Sequence, residues 1–151
     1  MSQTVPDPGH LLPYGYPALH VDRVTGYEAG RLTAVKAVSS HELDAMAGGS
    51  SRPAHLPASL LIESFLQACG ILLKHEAQGD QETLVVFAAA REMTVQDLPC
   101  AGELVVHTVE CLDRDGDVAE FTGSSATSDG RPLMSVTRVT ALQKPAESLG
   151  Q

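Results

Sequence analysis

The longest apolar stretch of the chain covers residues 56–73 and contains few polar side chains. Its length and its lack of β-branched runs predict an α-helix rather than a strand, and Pro57 suits the first turn of that helix. Because the stretch is apolar on nearly all sides, we expect the helix to be buried. Glu63 and Gln67 are four positions apart, so they lie one turn apart on one face.

Burial makes Glu63 the most informative polar residue of this helix. A buried carboxylate is costly unless it is paired or neutral, which indicates a chemical role for Glu63. A loop rich in Gly, Ser and Pro, residues 48–54, precedes the helix. A chemical partner of Glu63 is expected in that loop.

The rest of the chain alternates between apolar and polar positions, as strands do. Before the helix, the pattern predicts two extended segments and a short helical turn capped by Ser40, at residues 17–24, 32–38 and 41–46. After the helix it predicts strands joined by tight turns, at residues 84–89, 103–112, 118–128 and 134–142. An antiparallel sheet wrapped around one long central helix, an α+β fold, is the economical packing.

The length of 151 residues fits one domain. We expect it to span residues 1–151, with flexible tails at residues 1–11 and 145–151. The segment at the amino terminus has neither the basic nor the apolar region of a signal peptide. No apolar run reaches the length of a membrane span, so we expect a cytoplasmic protein.

The charge and the cysteines of the chain argue against several classes of partner and of binding site. The chain has 19 acidic against 10 basic residues, a net charge of -9, which argues against nucleic acid or an anionic membrane as a partner. Three cysteines at unrelated spacings fit neither a disulfide framework nor a zinc site. No histidine pair has the spacing of metal ligands, so we predict no metal.

The order of these elements is that of the hot-dog fold, and the residues resemble the bacterial 3-hydroxyacyl-(acyl-carrier-protein) dehydratases, the FabZ-like group. The resemblance spans roughly residues 12–142. It is most specific in the helix and in the segment before the first strand, at Pro57-x5-Glu63-x3-Gln67-Ala68-x-Gly70 and at Tyr16-Pro17 with Val21-Asp22-Arg23-Val24.

In that family a loop histidine takes the α-proton of a 3-hydroxyacyl thioester. An acid from the other subunit of a dimer protonates the departing hydroxyl, and the amide end of a helix polarises the thioester carbonyl. The resemblance implies that Glu63 is the acid, that Gln67 supports it and that no protein-bound cofactor is needed. The family histidine precedes the acid by fourteen residues, where this chain has Gly49, so the loop base is absent.

Other site residues are also inferred from the resemblance. His55, just before the helix, is the nearest candidate for a replacement base. We expect His41, His75 and His107 to lie at the surface. The segments that resemble the substrate-binding parts of the family contain Gly49, Pro57, Ala58, Phe87 and Ala88.

Three hypotheses follow. The chain could be a dehydratase or isomerase subunit of fatty-acid, polyketide or polyene synthesis, in a heterodimer with a hot-dog homologue that bears the histidine. It could be a homodimer that uses Glu63, alone or with His55, as a dehydratase or as a thioesterase. It could also be a non-catalytic acyl-binding or scaffolding subunit. The acyl group would be carried by coenzyme A or by an acyl carrier protein, although residues 90–98 hold one cation beside two acids, which weakens attraction to an acidic carrier.

Overall fold

The computed structural model describes residues 4–13, 18–49, 51–77 and 83–145. It contains three helices and seven strands within these ranges. The helices are α1 (Pro8–Leu11), α2 (Ser40–Ala47) and α3 (Ala58–Glu76). The strands are β1 (Arg23–Glu28), β2 (Arg31–Ala37), β3 (Thr83–Arg91), β4 (Thr94–Val95), β5 (Leu104–Asp115), β6 (Val118–Thr127) and β7 (Pro132–Pro145).

The strands form one antiparallel sheet in the order β1-β2-β5-β6-β7-β3, and β4 pairs with β7. The long hairpins β5–β6 and β6–β7 form its centre, where tight turns connect neighbouring strands. The sheet packs one face against α3, so the predicted antiparallel sheet around one central helix, the hot-dog fold, is confirmed.

The core lies between α3 and the inner face of the sheet. Burial alternates along β5, where Val105 and Val109 point inward. Phe65 of α3 and Phe121 of β6 are fully buried in the same cluster. Burying side chains of this size contributes roughly 1.5–3 kcal/mol each, which explains why the central helix carries so few polar residues.

Close packing of α3 on the sheet requires Gly123 of β6. A Cβ atom at this position would overlap the Thr108 carbonyl oxygen and would lie 2.9 Å from Cε2 of Phe65. A backbone oxygen cannot move aside as a flexible side chain can. Gly123 therefore lets the aromatic ring of α3 rest directly on the sheet.

Several details differ from the sequence prediction. The first strand is Arg23–Glu28, which overlaps the predicted extended segment, residues 17–24, only at its end. Residues 8–11, assigned to a flexible tail, form α1, which Asp7 caps by accepting the Gly9 amide at 2.9 Å. The cap of α2 is Ser39 rather than Ser40, because the Ser39 hydroxyl accepts the Glu42 amide at 3.0 Å. Strand β5 continues through Asp115, three residues past its predicted end, so only residues 116 and 117 separate it from β6. The outermost predicted tail residues, 1–3 and 146–151, lie outside the described ranges.

Candidate active site

Gln67 fixes the carboxylate of Glu63. Its amide nitrogen donates to Glu63 Oε1 at 3.1 Å and to the Ala18 carbonyl at 2.9 Å. Its amide oxygen accepts the His20 backbone N–H at 2.7 Å. Gln67 is buried and Glu63 is half-buried. One amide therefore joins the acid of α3 to the segment that leads into β1.

Glu63 and Gln67 face a narrow slot of about 90 Å³. The slot runs along one face of α3 between the segment after α1 and strand β3, and six of its nine lining residues are apolar. A fully buried lysine, Lys74, lies on the same helix face. The remaining lining residues are Leu12, Pro13, Leu66, Gly70, Val85 and Phe87.

The structure brings only some of the expected site residues together. Phe87 lines the slot with Glu63 and Gln67, whereas Ala88, its neighbour on β3, is exposed. His55 is exposed and forms an isolated backbone bridge with Cys100. The expected contacts that lie outside the slot lining are Gly49, Pro57, Ala58 and Ala88.

The amino-terminal end of α3 has no side-chain cap. Pro57 is its N-cap and supplies no side-chain capping hydrogen bond. Gly49, after α2, is exposed and has a φ of 90°, a conformation that favours glycine. The first turn of a helix presents unsatisfied amide groups and a partial positive charge. This end of α3 is therefore suited to a carbonyl oxygen or another electron-rich atom.

A larger cavity, about 480 Å³, lies between α2, β2, the segment before β1 and the first turn of α3. Sequence reasoning did not single it out. Its apolar lining consists of Leu19, Ala37, Ala45, Met46 and Leu60, and its polar lining consists of His20, Asp22, Lys36, Ser39 and Glu42. Cavities of this size with a few convergent polar groups are typical of small-molecule sites.

Three ionisable side chains meet in this cavity. Lys36 Nζ lies 2.9 and 3.2 Å from the two carboxylate oxygens of Glu42. Glu42 Oε1 lies 3.7 Å from Nδ1 of His20. Both Lys36 and His20 are buried. The Lys36–Glu42 pair is thus a partly buried ion pair with a histidine beside its carboxylate.

The environment keeps the His20 imidazole neutral. Burial lowers the pKa of His20, and the positive charge of Lys36 lowers it further. The carboxylates of Glu42, Glu63 and Asp22 act in the opposite direction, without reversing the shift. A neutral imidazole can accept a proton.

Sequence reasoning missed this cluster because its members come from three elements. His20 directly precedes the Val21–Val24 motif, and the sequence analysis gave it no role. Lys36 occupies a strand in which three consecutive residues are buried, a pattern that alternation does not predict. A histidine within the apolar segment before β1 was the available signal.

The prediction that His107 lies at the surface is wrong: the residue is fully buried. Ser64 donates its hydroxyl proton to the His20 carbonyl at 2.6 Å, so its oxygen accepts from His107 Nε2 at 2.7 Å. Ser125 then donates to His107 Nδ1 at 2.6 Å. Burial lowers the pKa of His107 to about 3. Position 107 shares the inner face of β5 with Val105 and Val109, which is why it is buried.

This arrangement excludes Ser64 as a nucleophile, because its proton is committed to a carbonyl and the histidine donates to it. His75, also expected at the surface, is half-buried and makes an edge-on contact with Tyr27 at 4.6 Å. His41 is exposed, as expected. Burial raises the pKa of the Cys69 and Cys111 thiols, which disfavours nucleophilic thiolates.

Comparison with known proteins identifies the family. The FabZ 3-hydroxyacyl-[acyl-carrier-protein] dehydratase of Histophilus somni (strain 2336) is 34% identical over 119 residues, covering 78% of each chain. The chain belongs to the FabZ family of dehydratases. The FabZ of Yersinia enterocolitica serotype O:8 is 33% identical over 141 residues, covering 92% of this chain and 83% of the relative. No family model matches the chain.

Solved structures resemble this FabZ-family chain in fold. The dehydratase heterocomplex ApeI:P from Xenorhabdus doucetiae superposes with a TM-score of 0.80 at 20% identity, covering 99% of this chain and 97% of the other. A hypothetical thioesterase with coenzyme A from Streptococcus pneumoniae superposes with a TM-score of 0.62 at 10% identity, covering 82% and 85%. At these identities the likeness shows the shared fold alone.

Two searches of the described ranges were negative. Within residues 4–13, 18–49, 51–77 and 83–145, no helix is long and apolar enough to cross a membrane. Over the same part of the chain, no three or more His, Cys, Asp or Glu side chains form a group that could hold a metal ion.

Proposed function

We propose that this chain dehydrates a 3-hydroxyacyl thioester and that Glu63 is the acid of the reaction. The observation that carries this proposal is the position of Glu63, which Gln67 fixes at 3.1 Å beside an apolar slot. Membership of the FabZ family supports the reaction class. The acyl chain would enter the slot along Phe87.

The step needs an acid, a base and a group that stabilises the thioester oxygen. As the α-proton leaves, its electron pair forms the double bond to C3 and the C3–O bond breaks. Glu63 gives its proton to the departing hydroxyl, which leaves as water. The amino-terminal end of α3, at Pro57 and Ala58, would polarise the thioester carbonyl. Coenzyme A or an acyl carrier protein would carry the acyl group, and no protein-bound cofactor is needed.

We propose that the chain acts as a dimer through β3. Among the described strands, β3 pairs with β7 on one side and ends the sheet on the other. Val86, Ala88, Ala89 and Ala90 of β3 are exposed. An exposed apolar edge strand invites pairing with another strand. The partner would be a second copy of this chain or a hot-dog homologue, in fatty-acid or polyketide synthesis in the cytoplasm.

A homodimer and a heterodimer differ in which chain supplies the base. Gly49 has no side chain that could take a proton. A homologue that bears the loop histidine could supply the base across a heterodimer. The fold likeness to the dehydratase heterocomplex from Xenorhabdus doucetiae supports such an assembly. His55 of this chain is another candidate, since it precedes α3 and is exposed to solvent.

An acyl-thioesterase is the second candidate function. Glu63 and the amino-terminal end of α3 could together activate water and polarise a thioester, and the fold is shared with a hypothetical thioesterase solved with coenzyme A. In that reaction the product is a free thiol and a carboxylic acid. A non-catalytic acyl-binding subunit would release neither product.

The test uses the purified chain, alone and co-purified with a histidine-bearing hot-dog homologue, on 3-hydroxyacyl thioesters of coenzyme A and of an acyl carrier protein. We expect enoyl thioester and a loss of at least ~100-fold in kcat for Glu63→Gln. Glu110→Gln, on the exposed outer face of β5, is the matched control and should retain activity. Free thiol without enoyl product, or no turnover in either preparation, would contradict the proposal.

A further inference from the structure

We infer that His20 is the general base of this chain, oriented by Glu42, and that the chain therefore carries both catalytic groups itself. The inference rests on the proposed dehydration. It assigns to the segment before β1 the role that the loop histidine has in the family. Four observations carry it: the anchoring of the His20 backbone, the surroundings of its ring, the cavity that it lines and its connection to Glu63.

The His20 backbone is held on both sides by α3. Its N–H donates to Gln67 at 2.7 Å, and its carbonyl accepts from Ser64 at 2.6 Å. Ser64 is itself fixed by His107, which Ser125 holds in turn. A catalytic side chain must keep its geometry to within a fraction of an ångström. This network fixes the point from which the imidazole projects.

One nitrogen of the His20 ring, Nδ1, is enclosed, and we assign the reaction with substrate to the other, Nε2. Nδ1 is buried and has no hydrogen-bond partner among the described residues. The nearest carboxylate oxygen is Glu42 Oε1 at 3.7 Å. A proton on Nδ1 directed at this carboxylate leaves the lone pair on Nε2, as in other carboxylate–histidine pairs. Such pairs tighten when substrate binds.

Lys36 holds Glu42 in place for this role. Its ammonium group contacts both carboxylate oxygens at 2.9 and 3.2 Å. Asp22, Glu42 and Glu63 are the carboxylates that act on His20, and Lys36 is the cation. Their combined effect with burial leaves the imidazole neutral, which is the form that accepts a proton. A buried nitrogen without a hydrogen-bond partner, such as Nδ1 of His20, lowers the stability of the fold. Orientation of the ring by Glu42 for catalysis would explain why a histidine is present there.

The cavity places His20 beside the first turn of α3. Leu60, in the first turn of α3, lines the same cavity, so the amino-terminal end of α3 borders it. Met46 of α2 also lines it and lies three residues before Gly49, where the family base would stand. Gln67 connects His20 to Glu63 through two hydrogen bonds. His20 and the amino-terminal end of α3 therefore border one cavity, and Gln67 links the His20 backbone to Glu63, which lines the neighbouring slot.

The step balances with these two residues. His20 Nε2 takes the α-proton, the C–H electron pair becomes the double bond between C2 and C3, and the C3–O bond breaks. Glu63 gives its proton to the departing oxygen, so water and an enoyl thioester form. The proton on His20 then returns to the Glu63 carboxylate through water. No oxidant, reductant or further group is required.

The experiment uses the purified chain alone with a 3-hydroxyacyl coenzyme A thioester. We expect His20→Gln to lower kcat at least ~100-fold with little change in melting temperature. His41→Gln, on the exposed face of α2, is the matched control and should retain activity. His55→Gln tests the competing candidate and should also retain activity.

A second variant, His20→Ala, distinguishes the loss of a proton acceptor from a loss of folded protein. His20→Ala should lose activity and regain at least ~10-fold of it when imidazole is added, because a free imidazole can enter the vacated space and accept the proton. His41→Ala should show no such response. A loss of activity that follows melting temperature and that imidazole does not restore would overturn the inference.

The outcomes also separate this inference from the proposed function. If Glu63→Gln is inactive while His20→Gln turns over normally, the base lies elsewhere and the dehydratase assignment stands. Activity that appears only with a histidine-bearing homologue also overturns the role of His20. If no preparation forms enoyl thioester, the proposed function fails and the role of His20 fails with it.

Discussion

Two buried histidines contact the same serine of the central helix and differ in what surrounds their rings. His107 is enclosed between α3 and β5, and both of its ring nitrogens are hydrogen-bonded to serines. His20 lines a cavity, and its ring has no hydrogen bond among the described residues. Burial lowers the pKa of both. The lowered pKa therefore does not distinguish the two histidines; they differ in the hydrogen bonds of their rings and in the cavity beside His20.

We expect the largest difference between the two histidines in the free energy of unfolding of their variants, because His107 has a structural role in the core and His20 is the proposed base. Replacing His107 by Gln disrupts a fully buried network and removes the acceptor of the Ser125 hydroxyl, so we expect a loss of about 3 kcal/mol in the free energy of unfolding. His20→Gln should cost about 1 kcal/mol or less, since no ring hydrogen bond is lost. Urea unfolding measures both. Equal losses would show that His20 is also a core residue.

Acid should destabilise the protein through His107. Its pKa is about 3 in the fold against an ordinary value of 6.5, so between these values the unfolded chain binds a proton that the fold does not. The free energy of unfolding should therefore fall by about 1.4 kcal/mol for each pH unit below 6.5 from this group. The stabilisation is complete above pH 6.5.

The change in the free energy of unfolding with pH is measured by urea unfolding at several pH values below neutrality. His107→Gln should lose this share of the slope, while His41→Gln, which alters an exposed residue, should keep it. The groups that face His107 are Ser64, Ser125 and the Lys36 charge, and none of them gives an alternative acid titration. An unchanged slope in the His107 variant would refute the enclosed, neutral state of this histidine.

Glu42 tests whether His20 is oriented for catalysis. Glu42→Gln keeps an oxygen near His20 Nδ1 but removes the negative charge, so we expect kcat to fall about tenfold. Because the Glu42 carboxylate raises the pKa of His20, its removal should lower that pKa further. The acidic limb of kcat/KM should then move to lower pH. If the acidic limb of kcat/KM does not move, a group other than His20 determines its pKa.

Ser125→Ala should have the smallest effect. It removes one donor to His107 at 2.6 Å, leaving the bond to Ser64 in place. We expect a loss of about 1–2 kcal/mol in the free energy of unfolding and an unchanged kcat. A large fall in kcat with normal stability would show that the His107 network acts on the site beyond holding the His20 backbone.

Much of the fold could be predicted because its signals are local. The apolar stretch predicted α3, and alternation with tight turns predicted the hairpins of β5, β6 and β7. The Glu63–Gln67 pair followed from helical spacing alone. The hydrogen bond between them, at 3.1 Å, agrees with that prediction.

The second half of the site could not be predicted because it is assembled across elements. His20, Lys36 and Glu42 come from the segment before β1, from β2 and from α2, and no spacing rule joins them. Alternation also does not tell which face of a strand is the inner one, so His107 was placed outside. The neighbouring valines on β5 would have corrected this once α3 was taken as the element that covers that face.

The most direct test of the account is dehydration by the purified chain with no partner present. Product is followed as enoyl thioester from a 3-hydroxyacyl thioester, comparing wild type with Glu63→Gln and His20→Gln. The account predicts turnover by the wild type and its loss in both variants, each still folded. Enoyl product that forms only after a histidine-bearing homologue is added would contradict it.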